Sequence, residues 1–137
     1  MITVVFYNEI LQFFCYTYGT RIIFKPFYYM NSVVQIIEPE GILDGTKAAD
    51  FHHQIEQSVE SGVHTILVDF SNVTFMDSSG LGALVRAFKT LKIAEVEFFL
   101  CSINDQIKML FELTSMDDYF SILGDREEFN KQLQKSL

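Results

Sequence analysis

From Val33 onward the hydrophobic and polar positions alternate between strand-like and helix-like runs. Val33 to Ile37 is a short β-branched run closed by Pro39 and Gly41. A proline is tolerated at a strand end but not inside a ladder. Asp44-Gly45-Thr46 supplies a turn and a helix cap. Beyond it, Ala48, Phe51, Ile55 and Val59 recur at helical spacing, which predicts an amphipathic helix ended by Gly62. Thr65 to Phe70 is almost continuously apolar and predicts a strand buried on both faces. Leu81, Leu84, Val85, Phe88 and Leu91 mark a second helical stripe, with Arg86, Lys89 and Lys92 falling away from it. Val96 to Cys101 predicts another buried strand. Asp105 is expected to cap a helix that turns Ile107, Leu110, Phe111 and Leu113 inward. Phe120 to Leu123 predicts a last short strand, and Asp125 a cap for a terminal helix with Phe129 and Leu133 inward. The pattern β-α-β-α-β-α-β-α argues for an α/β domain with a largely parallel sheet and helices packed against it.

The first segment breaks this pattern. Residues 1–29 hold ten of the twenty aromatic side chains, and their only charges are Glu9, Arg21 and Lys25. Residues 30–137 carry 8 basic and 17 acidic side chains. So sharp a shift marks a boundary. Residues 1–29 are expected to be an aromatic-rich extension: either an added strand, or a stretch read in upstream of a natural start at Met30. The longest uncharged stretch in it, Ile10 to Thr20, has 11 residues. A membrane span needs roughly 18 or more apolar residues in a row, so no membrane insertion is expected. A secretory signal would need a basic start and a small-residue cleavage site, and neither is present.

Charge and cysteine content narrow the function. At 137 residues the chain is long enough for one domain with a real core. The net charge of −8 disfavours direct nucleic-acid binding, since affinity for a phosphate backbone comes mainly from Lys and Arg. An acidic surface suits a basic protein partner instead. Cys15 and Cys101 fit no zinc or redox spacing and are expected to be reduced thiols in a cytoplasmic protein.

The chemistry concentrates in Thr74-Phe75-Met76-Asp77-Ser78-Ser79-Gly80-Leu81-Gly82-Ala83-Leu84, where a strand hands over to a helix. Backbone N–H groups at a helix start lack intrahelical partners and suit an acceptor or an anion. A serine there can be a simple cap, but one cap suffices and two adjacent serines are present. Neither serine sits in the Gly-x-Ser-x-Gly elbow of hydrolases, and His52, His53 and His64 show no triad context. Gly80-Leu81-Gly82 is too short for a dinucleotide fingerprint, and no Walker sequence exists. The carboxylates form no metal-ligand pattern. The expectation is therefore no catalytic residue, no metal, no cofactor and no enzyme.

The stretch Phe75-Met76-Asp77-Ser78-Ser79-Gly80-Leu81-Gly82 resembles the signature of the anti-sigma factor antagonists, the bacterial STAS-domain family. Gly41-Ile42-Leu43-Asp44, Ile66-Leu67-Val68-Asp69-Phe70, Ile107-Lys108-Met109-Leu110-Phe111 and Met116-Asp117 extend the resemblance over about Val33 to Leu123. It implies a single small STAS-like domain over residues 30–137, with a mixed, mostly parallel sheet. It also implies a partner switch. Such a protein binds an anti-sigma factor that is also an ATP-dependent serine kinase, and binding releases the sigma factor. The kinase phosphorylates the serine after the motif's Asp, here Ser78, and the complex falls apart. A serine phosphatase resets the cycle. Asp44, Asp77, Ser79, Gly80 and Leu81 would then contact the partner. The alternative carried by the same resemblance is a STAS-like regulatory subunit of a transport or signalling complex that is not phosphorylated. Ile93-Ala94-Glu95 stands where the family often has a glycine pair.

Overall fold

The computed structural model describes the strands of the first segment as backbone, and residues 34–136. Side chains are described over residues 34–135. The chain divides into two compact units, Met1–Val33 and Val34–Leu137. In the first, β1 (Ile2–Thr3), β2 (Tyr7–Asn8) and β4 (Arg21–Pro26) all pair antiparallel with β3 (Leu11–Tyr18). The aromatic and β-branched residues of this segment are strong strand formers.

The second unit runs β5 (Val34–Ile37), β6 (Gly41–Leu43), α1 (Gly45–Glu60), β7 (Thr65–Asp69), β8 (Val73–Met76), α2 (Ser78–Ile93), β9 (Glu97–Cys101), α3 (Asp105–Thr114), β10 (Ser121–Leu123) and α4 (Arg126–Ser136). Val33, expected to start the first of these strands, lies outside the described residues. A four-stranded sheet has the order β10-β9-β7-β5, and every ladder in it is parallel. The α/β reading with a mostly parallel sheet is correct.

Alternation along the central strands explains why they read as continuous apolar runs. Ile66, Val68, Phe98 and Leu100 join one cluster, with Phe51 and Ile55 of α1, Leu84 and Leu91 of α2, and Ile107 and Phe111 of α3. Leu67 and Cys101 join the other, with Phe129 of α4 and the half-buried Phe99 and Leu133. Successive side chains on a strand point to opposite faces, so α1 to α3 cover one face and α4 the other. Burial pushes the Cys101 thiol up from its ordinary range, so it stays protonated and inert.

One buried carboxylate fastens α4. Asp69, only 4% exposed, accepts from Arg126 Nε at 2.5 Å and from the Ser71 N–H at 2.9 Å. Arg126 also pairs with Glu38. A buried charge without partners costs several kcal/mol; here both carboxylate oxygens are engaged.

Several sequence expectations change. β6 and β8 were not expected as strands; they form a separate two-stranded parallel sheet. Asn104, not Asp105, caps α3, its Oδ1 accepting from the Ile107 N–H at 3.0 Å. Leu113 is 79% exposed rather than inward. The helical continuation of Ile107, Leu110 and Phe111 passes through position 114, so Leu113 falls off the stripe. Lys92 is exposed, off the apolar stripe as expected, and its Nζ lies over the Phe88 ring at 5.8 Å.

Candidate functional site

The two-stranded sheet delivers two helix starts to one place. Cα partners Leu43 and Met76 end β6 and β8 side by side, and both side chains are buried. Asp44 follows the first and caps α1; Asp77 follows the second and caps α2. The Asp77 N–H reaches the Leu43 carbonyl at 3.4 Å. A Cβ added at Gly45 would lie 3.6 Å from Ser79 Oγ, which fixes the contact between the starts. The structure thus brings together Asp44, Asp77, Ser78, Ser79, Gly80 and Leu81, which the sequence had placed in two separate stretches.

Their surroundings differ. Asp77 Oδ1 accepts from the Gly80 N–H at 2.9 Å and satisfies one orphan donor of α2. Asp44 Oδ1 accepts from the Thr46 N–H at 2.9 Å and from the Thr46 hydroxyl at 2.6 Å. That hydroxyl bond, foremost, holds the Asp44 carboxyl below its ordinary value. Ser78 and Ser79 are exposed at the first positions of α2. Among the described residues no group engages the hydroxyl of either.

Gly80 and Leu81 do not face outward. A Cβ on Gly80 would stand 2.1 Å from the Leu43 carbonyl oxygen, so only glycine lets α2 approach β6 this closely. Leu81 is 9% exposed and packs into the main core. These two motif residues hold the frame that presents the serines.

Sequence reasoning missed two features of this site. Ile42 and Phe75 are Cα partners across β6 and β8, 51% and 45% exposed, forming an apolar pair just ahead of the two helix starts. Alternation against the inward Leu43 and Met76 could have shown it, but the strands are too short for a period to stand out. The second feature lies in α3. The Gln106 side chain donates from Nε2 to the Met76 carbonyl at 2.8 Å and accepts at Oε1 from the Met76 N–H at 2.9 Å. No local pattern announces so distant a contact.

Among the described residues no group of three or more His, Cys, Asp or Glu could hold a metal ion. Nor is any helix among them long and apolar enough to cross a membrane.

Comparison with known proteins places this geometry. The STAS domain family model matches residues 29–131. The anti-sigma-B factor antagonist of Listeria monocytogenes is 33% identical over 91 residues, covering 66% of this chain and 79% of that protein. An anti-sigma factor antagonist structure from Mycobacterium paratuberculosis superposes with a TM-score of 0.67 at 16% identity, over 95% of this chain and 99% of that one. The Bacillus cell fate determinant SpoIIAA, solved in its phosphorylated form, superposes with a TM-score of 0.59 at 20% identity, over 74% of this chain and 92% of that one. With its family model, its curated relatives and its fold in agreement, the chain belongs to the STAS domain family and is a relative of the anti-sigma factor antagonists.

Proposed function

We propose that this protein is an anti-sigma factor antagonist of a partner-switching pathway, in which Ser78 is the phosphorylated residue. The observation that carries the reading is the start of α2. There an exposed serine hydroxyl has no partner among the described residues and stands beside a second helix start. The phosphorylated form of SpoIIAA among the fold neighbours supports it. In the unphosphorylated state the partner, an anti-sigma factor serine kinase, covers the Ile42–Phe75 pair, with Asp44, Asp77, Ser78 and Ser79 along the polar edge of the contact. Gly80 and Leu81 act from behind it, as frame. The chain itself supplies no catalytic group. A serine phosphatase restores the free hydroxyl, and the cycle runs in the cytoplasm.

Phosphate acts locally. A phosphoserine carries about −1.5 to −2 charge at neutral pH. The helix start stabilises such a charge by only about 0.3–1 kcal/mol at an exposed site. That is too little to refold a domain held by its core. A bulky dianion next to Asp77 and near Asp44 instead blocks close approach and repels partner carboxylates.

The test is incubation with the anti-sigma factor kinase from the same genome and ATP, followed by mass-spectrometric mapping. One phosphate at Ser78 is expected, lost in Ser78→Ala and retained in Ser79→Ala. Phosphate on Ser79 alone, or none at all, contradicts the reading.

A further inference from the structure

The free edge of β8 is occupied by side chains of α3 in place of a strand. Its other edge pairs with β6. On the free side, Asn104 Nδ2 donates to the carbonyls of Val73 and Thr74, each at 3.2 Å. Asn104 Oδ1 at the same time caps α3. Two residues on, Gln106 pairs both backbone groups of Met76, as a neighbouring strand residue would. The amide orientation is fixed by chemistry: an N–H must meet the oxygen and a carbonyl must meet the NH2. Met76 is fully buried, so its backbone groups have no water to fall back on.

Met76 is the last residue before the cap of α2. Asp77 follows it directly and reaches forward to Gly80, and Ser78 lies between them. The placement of Met76 therefore fixes where the cap carboxylate and the serine hydroxyl stand. α1 has no counterpart to this brace among the described hydrogen bonds: Asp44 is tied to its own Thr46, within the same turn.

We propose that Gln106 is a positioning residue for the Ser78 switch, holding Met76 in strand geometry so that α2 presents the serine hydroxyl to the kinase. The proposal rests on the reading of Ser78 given above. It also assigns a regulatory part to α3: whatever draws the start of that helix away from β8 lowers the accessibility of the switch to its kinase.

Two variants of the full chain test it. Gln106→Met keeps the bulk and removes both hydrogen bonds. Gln106→Glu keeps an acceptor for the Met76 N–H but, when ionised, has no donor for the Met76 carbonyl. Its carboxyl faces that carbonyl and is expected to titrate above the ordinary glutamate value of about 4.3. In Gln106→Met, hydrogen-exchange protection of the Met76 amide should fall about tenfold, and kcat/KM for phosphorylation by a similar factor. The KM for ATP should stay unchanged. In Gln106→Glu, the Met76 carbonyl carbon shift and the Asp77 to Gly80 amide shifts should depart from wild type at neutral pH. They should return as the new carboxyl protonates, because the acid can donate again. A role in bulk packing alone predicts no such return.

Unchanged Asp77 to Gly80 shifts in both variants overturn the proposal. So does full-rate phosphorylation of Gln106→Met despite lost protection. If wild type accepts no phosphate, the functional reading fails on its own, and the shifts and their pH reversal still decide whether Gln106 positions the segment.

Discussion

The two helix starts of the site are built alike and left in different states. Each follows a strand of the same small sheet, and each is capped by an aspartate. At α1 the only hydroxyl of the first turn, that of Thr46, is spent on its own cap carboxylate at 2.6 Å. At α2 the cap carboxylate likewise takes a backbone N–H but no hydroxyl, and among the described residues nothing engages the Ser78 and Ser79 hydroxyls. The difference shows how one local architecture serves two ends. The first start closes on itself and supports; the second keeps a reactive group available beside it. A cap alone says little about function. What distinguishes the sites is whether the hydroxyl is already engaged.

Substitution of the paired glycines should separate the two starts most strongly. Gly80→Ala forces a Cβ to within 2.1 Å of a backbone oxygen that cannot move aside. A loss of about 3 kcal/mol is expected, at the upper end of overpacking costs. Gly45→Ala meets Ser79 at 3.6 Å, an ordinary contact. Its effect should stay within about 0.5 kcal/mol, as for an unremarkable surface site. Denaturant unfolding of both variants checks the pair, and similar losses would break the contrast.

Removing the second cap should have a smaller effect. Asp77→Ala leaves the Gly80 N–H without its acceptor, and about 1 kcal/mol of stability should be lost. Amide exchange should speed up first at the start of α2 rather than across the domain.

The smallest effect belongs to Thr46. In Thr46→Val the Asp44 carboxyl loses its hydroxyl donor and should titrate closer to its ordinary 3.8, read from the side-chain carbon shift. The sign follows from linkage. A carboxyl whose pKa is lower folded than unfolded favours the folded state above the unfolded pKa, and that contribution is lost as pH falls through the folded one. Wild type should therefore lose this contribution only in acid, and the variant should have less of it to lose. An identical titration in both would show that Thr46 does not hold Asp44.

Much of this was legible in the sequence, for physical reasons that also mark the limit. β7 and β9 read clearly because helices cover both faces and leave the middle of each strand, Ile66 to Val68 and Phe98 to Leu100, continuously apolar. The helices read from their stripes, and the α2 motif from its unusual run of Asp, Ser and Gly. β6 and β8 were not legible, since three or four residues between Pro39, Gly41 and the helix caps show no period. Asn104 and Gln106 were hidden for a different reason. Their partners lie about 30 residues away in sequence, and long-range pairing of an amide with a backbone leaves no local trace. For the same reason the sequence does not name Leu43 as the residue that Gly80 is pressed against.

The most direct test of the open second start is calorimetry of kinase binding by the unphosphorylated chain, the Ser78-phosphorylated chain and Ser78→Asp. Backbone amide spectra of each form alone complete the measurement. The expected result is binding weakened tenfold or more, roughly 1.4 kcal/mol, by phosphate and in the same direction by Ser78→Asp, with spectral changes confined to the neighbourhood of the α1 and α2 starts. Equal affinity for the phosphorylated and unphosphorylated chains would contradict a block at Ser78, and shifts spread through the main sheet would show that phosphate acts by refolding the domain.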